Sequence, residues 1–242
     1  MQNWINDLQN NINETFITDN RWKYLSDGVV WTLKITFFAL IIGIVIGALV
    51  AIIRSTYDKQ YSAMPRGVGK VIVWILNLIA KIYLTIFRGT PVVVQIMIMY
   101  YIVLVWMDND LIVASIAFGI NSGAYVAEIF RSGIMSIDAG QFEAGRSLGF
   151  NYVQTMLYVI IPQAFKNVLP TLANEFIVLL KETSVAGYVG IAELTKGGDI
   201  IRSATYKAFF PLISVALIYL IMVMFFTWLV GILERRLRND ER

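Results

Sequence analysis

The chain has no cysteine and no histidine among its 242 residues. Disulfides, thiol nucleophiles, imidazole acid–base catalysis and the usual zinc ligand sets are therefore excluded together. Charge is also scarce, with Asp, Glu, Lys and Arg making up 15% of the chain, against roughly a quarter in an average soluble domain. There is no Gly-x-x-x-x-Gly-Lys-Ser/Thr phosphate loop, so no nucleotide site or cofactor of its own is expected. Residues 1–26 are polar and lack a basic start, an apolar stretch and a small-residue cleavage site. A cleaved leader is not expected there, and the first apolar run should serve as an uncleaved signal-anchor. Neither an internal repeat nor a low-complexity tract is found.

What the chain has instead is apolar length. Hydrophobic residues make up 57% and the mean hydropathy is +0.65. The net charge is only +3, and the basic residues flank apolar runs, which speaks for membrane topology and against nucleic acid. A spanning helix needs about 20 mostly apolar residues. Such runs lie near Val29–Ile53, Val71–Trp106, Leu111–Ile134, Phe165–Leu180 and Phe209–Leu233. Arg54, Lys59, Arg66 and Lys70 after the first run, and Arg235, Arg236, Arg238 and Arg242 at the end, mark cytoplasmic segments, whereas the Asp108–Asp110 turn carries no basic residue. Eleven Lys and Arg then fall inside and four outside. The stretch from Lys70 to Met107 starts inside and ends outside, so it must cross an odd number of times and reads as one span broken at Gly89 and Pro91. Five crossings follow, with the N-terminus outside and the C-terminus in the cytoplasm. The expected layout is a polar arm over 1–26, a membrane domain over 27–233 and a basic tail over 234–242.

Lys34, Lys81, Arg88, Glu128, Glu175, Lys181 and Glu182 lie within or at the ends of these runs. A charge at the bilayer centre costs at least ~2.5–3.5 kcal/mol on insertion scales, so such residues face protein or a wet cavity. Lys34 and Lys81 can snorkel to an interface. Arg88 stands before Gly-Thr-Pro, and Lys181–Glu182 opens the polar stretch KETSVAGYVG, so both mark helix breaks of the kind that line a cavity. Two readings stay open: Arg88 and Glu182 face a substrate, or they bridge each other. Ala39, Gly43, Gly47 and Ala51 repeat every four residues and predict a close helix contact, within this chain or with another.

Between the third and fourth runs lies a polar insert of about residues 137–163. Asp138 with Gln141, and Asn151 with Gln154, have capping-box spacing. Gly149 suits the left-handed position after a helix end. The prediction is a cytoplasmic helix–turn–helix.

This insert resembles the EAA loop of ATP-binding-cassette importer permeases, in Glu143-Ala144-Gly145, then Gly149, then Val159-Ile160-Ile161-Pro162. Phe87-Arg-Gly-Thr-Pro-Val-Val-Val-Gln95 and Lys181-Glu-Thr-Ser-Val185 are similar to segments of the polar-amino-acid branch of that family. The resemblance covers about residues 28–233. It implies an all-α integral membrane protein of the type I importer kind, with five transmembrane helices and a coupling insert, in a bacterial cytoplasmic membrane. It also implies a non-enzymatic permease for a polar amino acid. Its partners would be a dimer of ATPase subunits, a second permease subunit (identical or a sister chain), an extracytoplasmic binding protein and membrane lipid. Carried over by the resemblance, Arg88, Gly89, Thr90, Pro91, Gln95, Glu182, Thr183 and Ser184 would wall the substrate path. Glu143, Ala144, Gly145, Gly149 and Pro162 would couple to the ATPase. An ion-coupled secondary amino acid transporter is the alternative, opposed by five spans, the missing inverted repeat and the structured insert.

Overall fold

The computed structural model describes residues 2–239, and every described element is helical. Helix α1 (Gln2–Ile12) leads through a wide turn over Asn13–Ile17 and a kinked turn over Thr18–Asn20 into α2 (Trp22–Gln60). The expected arm is thus largely helical, and helix α2, which holds the first apolar run, begins within it at Trp22. At ~1.5 Å per residue the 39 residues of α2 extend ~58 Å, about twice the ~30 Å hydrocarbon layer. α3 (Val68–Gly89) and α4 (Val92–Ile98, prolonged by a wide turn over Met99–Val103) follow, then α5 (Asp110–Met135). The insert forms α6 (Ala139–Ser147) and α7 (Tyr152–Thr155). A further wide turn over Met156–Ile160 runs into α8 (Ile161–Glu182). α9 (Leu194–Thr205) and α10 (Phe209–Asn239) complete the chain. Arg242 of the basic tail lies outside the described residues.

α2, α3, α5 and α10 are long and apolar enough to cross a membrane. α8 has the length, 22 residues, but carries Lys166, Asn167, Asn174, Glu175, Lys181 and Glu182, so it is not uniformly apolar. It packs on α5, α10 and α2, and its buried Glu175 finds a partner in Ser122 of α5. α3 presents a lipid-type surface instead, with Ile72, Trp74, Ile75, Leu76, Ile79 and Ile82 all exposed.

The α2–α5 contact is the spine of the fold. Ala39, Gly43, Gly47 and Ala51 are all buried in it, so the four-residue stripe meets this chain's own α5. α5 answers with Gly119 and Gly123, against Ile42 and Ile46 of α2. A Cβ at Gly47 would lie 2.6 Å from Val126 Cγ1 and 2.8 Å from the Ala127 amide nitrogen. The backbones come this close because side chains are missing on both sides, which in a lipid solvent is the main way to gain dispersion contacts between helices.

Candidate functional site

The break between α3 and α4 falls where the sequence predicts. Thr90 and Pro91 are extended (φ −123°, ψ 150° and φ −64°, ψ 135°), since proline offers no amide to continue the α3 ladder. An interruption at membrane depth frees backbone carbonyls that must find donors. Gln95 supplies them: its Nε2 donates to the Phe87 and Thr90 carbonyls at 3.0 Å each and lies 2.7 Å from Thr90 Oγ1. Its Oε1 accepts from Asn121 Nδ2 of α5 at 2.7 Å. Gln95 was expected along the path; it is 7% exposed and its amide closes the break. Gly89, Thr90 and Pro91 are exposed around it.

Arg88, the last charged residue of α3, pairs with Glu128 of α5 through Nη1 and Oε1. Its guanidinium also stands 5.8 Å from the centroid of the Tyr125 ring, one turn earlier on α5. The bridge considered from sequence, Arg88 with Glu182, is not formed. α3 delivers Arg88 to α5, and Glu182 ends α8 elsewhere in the bundle. The Arg88 and Glu128 side chains are 43% and 44% exposed, so the pair is open on one side. A guanidinium, a carboxylate and an aromatic face lie within one patch, a set of partners suited to a molecule bearing both charges.

The second interruption follows α8. Thr183 is fully buried and its hydroxyl donates to the Leu180 carbonyl at 2.7 Å, where α8 tightens into a 3-10 segment over Thr183–Val189. Glu182 is half-buried. Ser184 lines an open cleft of about 430 Å³ with Gly187, Tyr188, Thr195, Lys196, Asp199 and Leu212. On α9 beside it, Asp199 is held below the usual carboxylate range by hydrogen bonds from Arg202. The two interruptions are joined through α4, whose Val92 and Ile96 pack with Val185, Ala186 and Val189 in one apolar cluster.

Three buried or paired carboxylates lie outside the residues expected to wall the path; Glu128 and Glu175 are marked in the sequence as intramembrane charges, Glu193 is not. Glu128 stood out only as an intramembrane charge, because its partner is 40 residues away. Glu175 is 9% exposed and accepts from Ser122 Oγ at 2.8 Å, joining α8 to α5. Glu193 is fully buried, accepts from the Thr195 and Lys196 amides at 2.7 Å each, and receives the Tyr219 hydroxyl at 3.1 Å. It caps α9, a position where the sequence offers no Ser, Thr, Asp or Asn.

The insert is a compact unit. Asn151 and Gln154 form the reciprocal capping box, while Asp138 caps α6 alone, through the Gly140 amide at 2.6 Å. Gln141 does not reach back as its spacing suggested. Its side chain faces Gln163 at 3.4 Å. Gly149 has φ +83°, with the Phe150 amide donating to the Gly145 carbonyl at 3.1 Å, as a left-handed helix end requires. Gly145 is needed as glycine, since a Cβ there would lie 2.7 Å from Thr155 Cγ2 where α6 crosses α7. Glu143, Ala144 and Pro162 are exposed. So are Leu148, Val153, Leu157 and Tyr158, each above half.

Known proteins resemble this chain over most of its length. Residues 43–239 match the family model described as the binding-protein-dependent transport system inner membrane component. The putative glutamine transport system permease protein of Rickettsia bellii is 36% identical over 217 residues, 88% of this chain and 93% of that one. The arginine transport system permease protein of Bacillus subtilis is 34% identical over 221 residues, covering 90% and 94%. Among solved structures, an amino acid ABC transporter crystallised with histidines superimposes with a TM-score of 0.77 at 39% identity, over 91% of this chain and 98% of that one. An inward-facing methionine ABC transporter shares the fold, with a TM-score of 0.75 at 22% identity and coverage of 89% and 97%.

Proposed function

The chain belongs to the family of binding-protein-dependent transport system inner membrane components and is a permease subunit of an ABC importer, not an enzyme; from that premise we propose that it conducts a polar amino acid past the α3–α4 break. The observation that carries the reading is the half-exposed Arg88–Glu128 pair with Tyr125 beside it. With no solute bound, the two charges satisfy each other. An amino acid replaces the internal bridge with two bonds of the same kind, its carboxylate on the guanidinium and its ammonium on the carboxylate. The swap exchanges like for like, so the solute can be taken up and let go. Relatives named for glutamine and arginine transport support the polar amino acid class.

In this reading Gly89, Thr90, Pro91, Glu182 and Ser184 border the path, while Gln95 and Thr183 hold its two breaks in shape. The insert is the docking surface for the ATPase subunits. Its support is four large apolar side chains, Leu148, Val153, Leu157 and Tyr158, left uncovered on a segment outside the spans. Glu143, Ala144, Gly145, Gly149 and Pro162 shape that surface. A second permease subunit completes the pore, an external binding protein delivers the solute, and the N-terminus lies outside with the C-terminus in the cytoplasm.

The test is reconstitution. Complexes purified with ATPase subunits and placed in proteoliposomes should take up a polar amino acid only with ATP and an external binding protein. Uptake by the chain alone, driven by a proton or sodium gradient, would establish the secondary-transporter alternative. For orientation, the cysteine-free sequence is a clean background. A cysteine at Asn109 should react with an impermeant reagent from outside and one at Asn151 should not; the reverse pattern inverts the topology.

A further inference from the structure

The cytoplasmic end of α2 touches several elements that the transport reading depends on. Arg131 of α5 donates from Nε and Nη2 to Asp58 Oδ2 at 3.1 and 3.0 Å. The next residue, Lys59, places its ammonium 4.9 Å from the centroid of the Phe142 ring. Phe142 belongs to the apolar cluster that binds α6 to Ile134 of α5 and to Met156, Ile160 and Ala164. One turn back, Arg54 Nη1 donates to Asn77 Oδ1 of α3 at 2.7 Å. Arg131 also follows Glu128 by three residues, a spacing that puts them on adjacent turns of one helical face. The α5 face that meets Arg88 is therefore tied, one turn on, to the helix end that also holds the insert.

We propose that Asp58 and Lys59 are positioning residues that keep the insert in fixed register with α5, so that movement imposed on the insert is carried to the Arg88–Glu128 site. This rests on the permease reading. The strut supplements the existing links from α6 to α5, which are the short chain between Met135 and Ala139, the small cluster around Ile134, and the turn into α8, itself packed on α5. With it, α6 is held from a second side by α2, and α2 is locked to α5 by its glycine seam. Two elements fixed to a common third move as one body, and packed, bonded chains of this kind carry coupling between distant sites. The Asp58 and Arg131 side chains are 26% and 39% exposed, and pairs so open to solvent add little to stability. The loss should therefore show in coupling and not in assembly.

The experiment uses the purified complex with its ATPase subunits in proteoliposomes, reading amino acid transported per ATP hydrolysed. Asp58→Asn and Lys59→Met should each assemble normally and keep ATP hydrolysis, while transport per ATP falls roughly two- to tenfold. Asp58→Arg combined with Arg131→Asp should restore the ratio by re-forming the pair. Wild-type ratios in both single variants would overturn the proposal, as would a charge exchange no better than Asp58→Asn. Should Asp58→Asn fail to assemble, Lys59→Met decides alone, because it keeps an unbranched stem over the ring and removes only the charge. A wild-type complex without ATP-driven uptake would bring down the permease reading itself, a distinct result.

Discussion

Replacing Glu128 with glutamine separates a binding role from a structural one at the α3–α4 break. The substitution keeps side-chain length and one acceptor but leaves Arg88 without its counter-charge. Both side chains are more than two-fifths exposed, so the pair behaves like a solvent-screened one, worth about 0–1 kcal/mol to stability. Assembly and thermal stability should change little. Solute binding should change far more. The ammonium of an amino acid loses a charge-assisted hydrogen bond, and bonds to charged groups are worth about 1.5–3 kcal/mol. At about 1.4 kcal/mol per tenfold, the dissociation constant should rise roughly 10- to 150-fold. The assay is equilibrium binding of radiolabelled amino acid to the solubilised permease complex without binding protein, beside a melting curve. Arg88→Met should give a loss of similar size by removing the carboxylate's partner. Unchanged affinity in a folded Glu128→Gln complex would refute solute binding by the Arg88–Glu128 pair. So would instability in each single variant that is rescued, with transport, by replacing both residues with apolar ones; that pattern belongs to a structural bridge.

Other consequences follow from particular geometry. Gly149→Val forces a β-branched residue into φ +83°, a conformation that costs a non-glycine residue roughly 1–2 kcal/mol. Membrane insertion should survive, but retention of the ATPase subunits on an affinity column should be lost; retention at the wild-type level would mean that the insert is not the docking element. Gly47→Val places a side chain into the Val126–Ala127 backbone and side-chain contact, and overpacking of this kind costs typically 1–3 kcal/mol. The melting temperature should drop, whereas valine at Gly231, where no neighbour lies within 4 Å, should be tolerated. Outside the membrane, the Lys207 hydrogen bond holds the Glu14 carboxyl below its ordinary value of 4.5. A depressed carboxylate contributes fully above its unfolded value and loses that contribution as pH falls through the folded one. Hydrogen-exchange protection around residues 13–20 should therefore be constant from pH 7 down to about 5 and decline below that, and Glu14→Gln should abolish the dependence; protection that ignores pH would exclude a structural role for the Lys207 contact.

Much of this architecture is written in local pattern. Helix class, the break at Gly89–Pro91, the Asn151 capping box and the left-handed Gly149 depend on residues within a few positions of one another, where proline's missing amide or glycine's missing Cβ acts without regard to the rest of the chain. Pairing is another matter. The sequence marks Arg88, Glu128, Glu175 and Glu182 as charges that need partners, but a carboxylate accepts any donor that packing brings near. Arg88 meets Glu128 and not Glu182 because the α2–α5 glycine seam and the Gln95–Asn121 bond set α5 against the end of α3. The same holds for Gln95, polar enough to suggest a path yet drawn inward by carbonyls that the break left unpaired. It holds for Asp58 as well, which reads as an ordinary loop acid until α2 proves long enough to carry it to Arg131. Local sterics are decided within a turn of helix. Which distant charges neutralise each other is decided only when the close-packed faces have chosen their partners, since the cost of an unpaired ion in lipid is settled by whichever donor arrives.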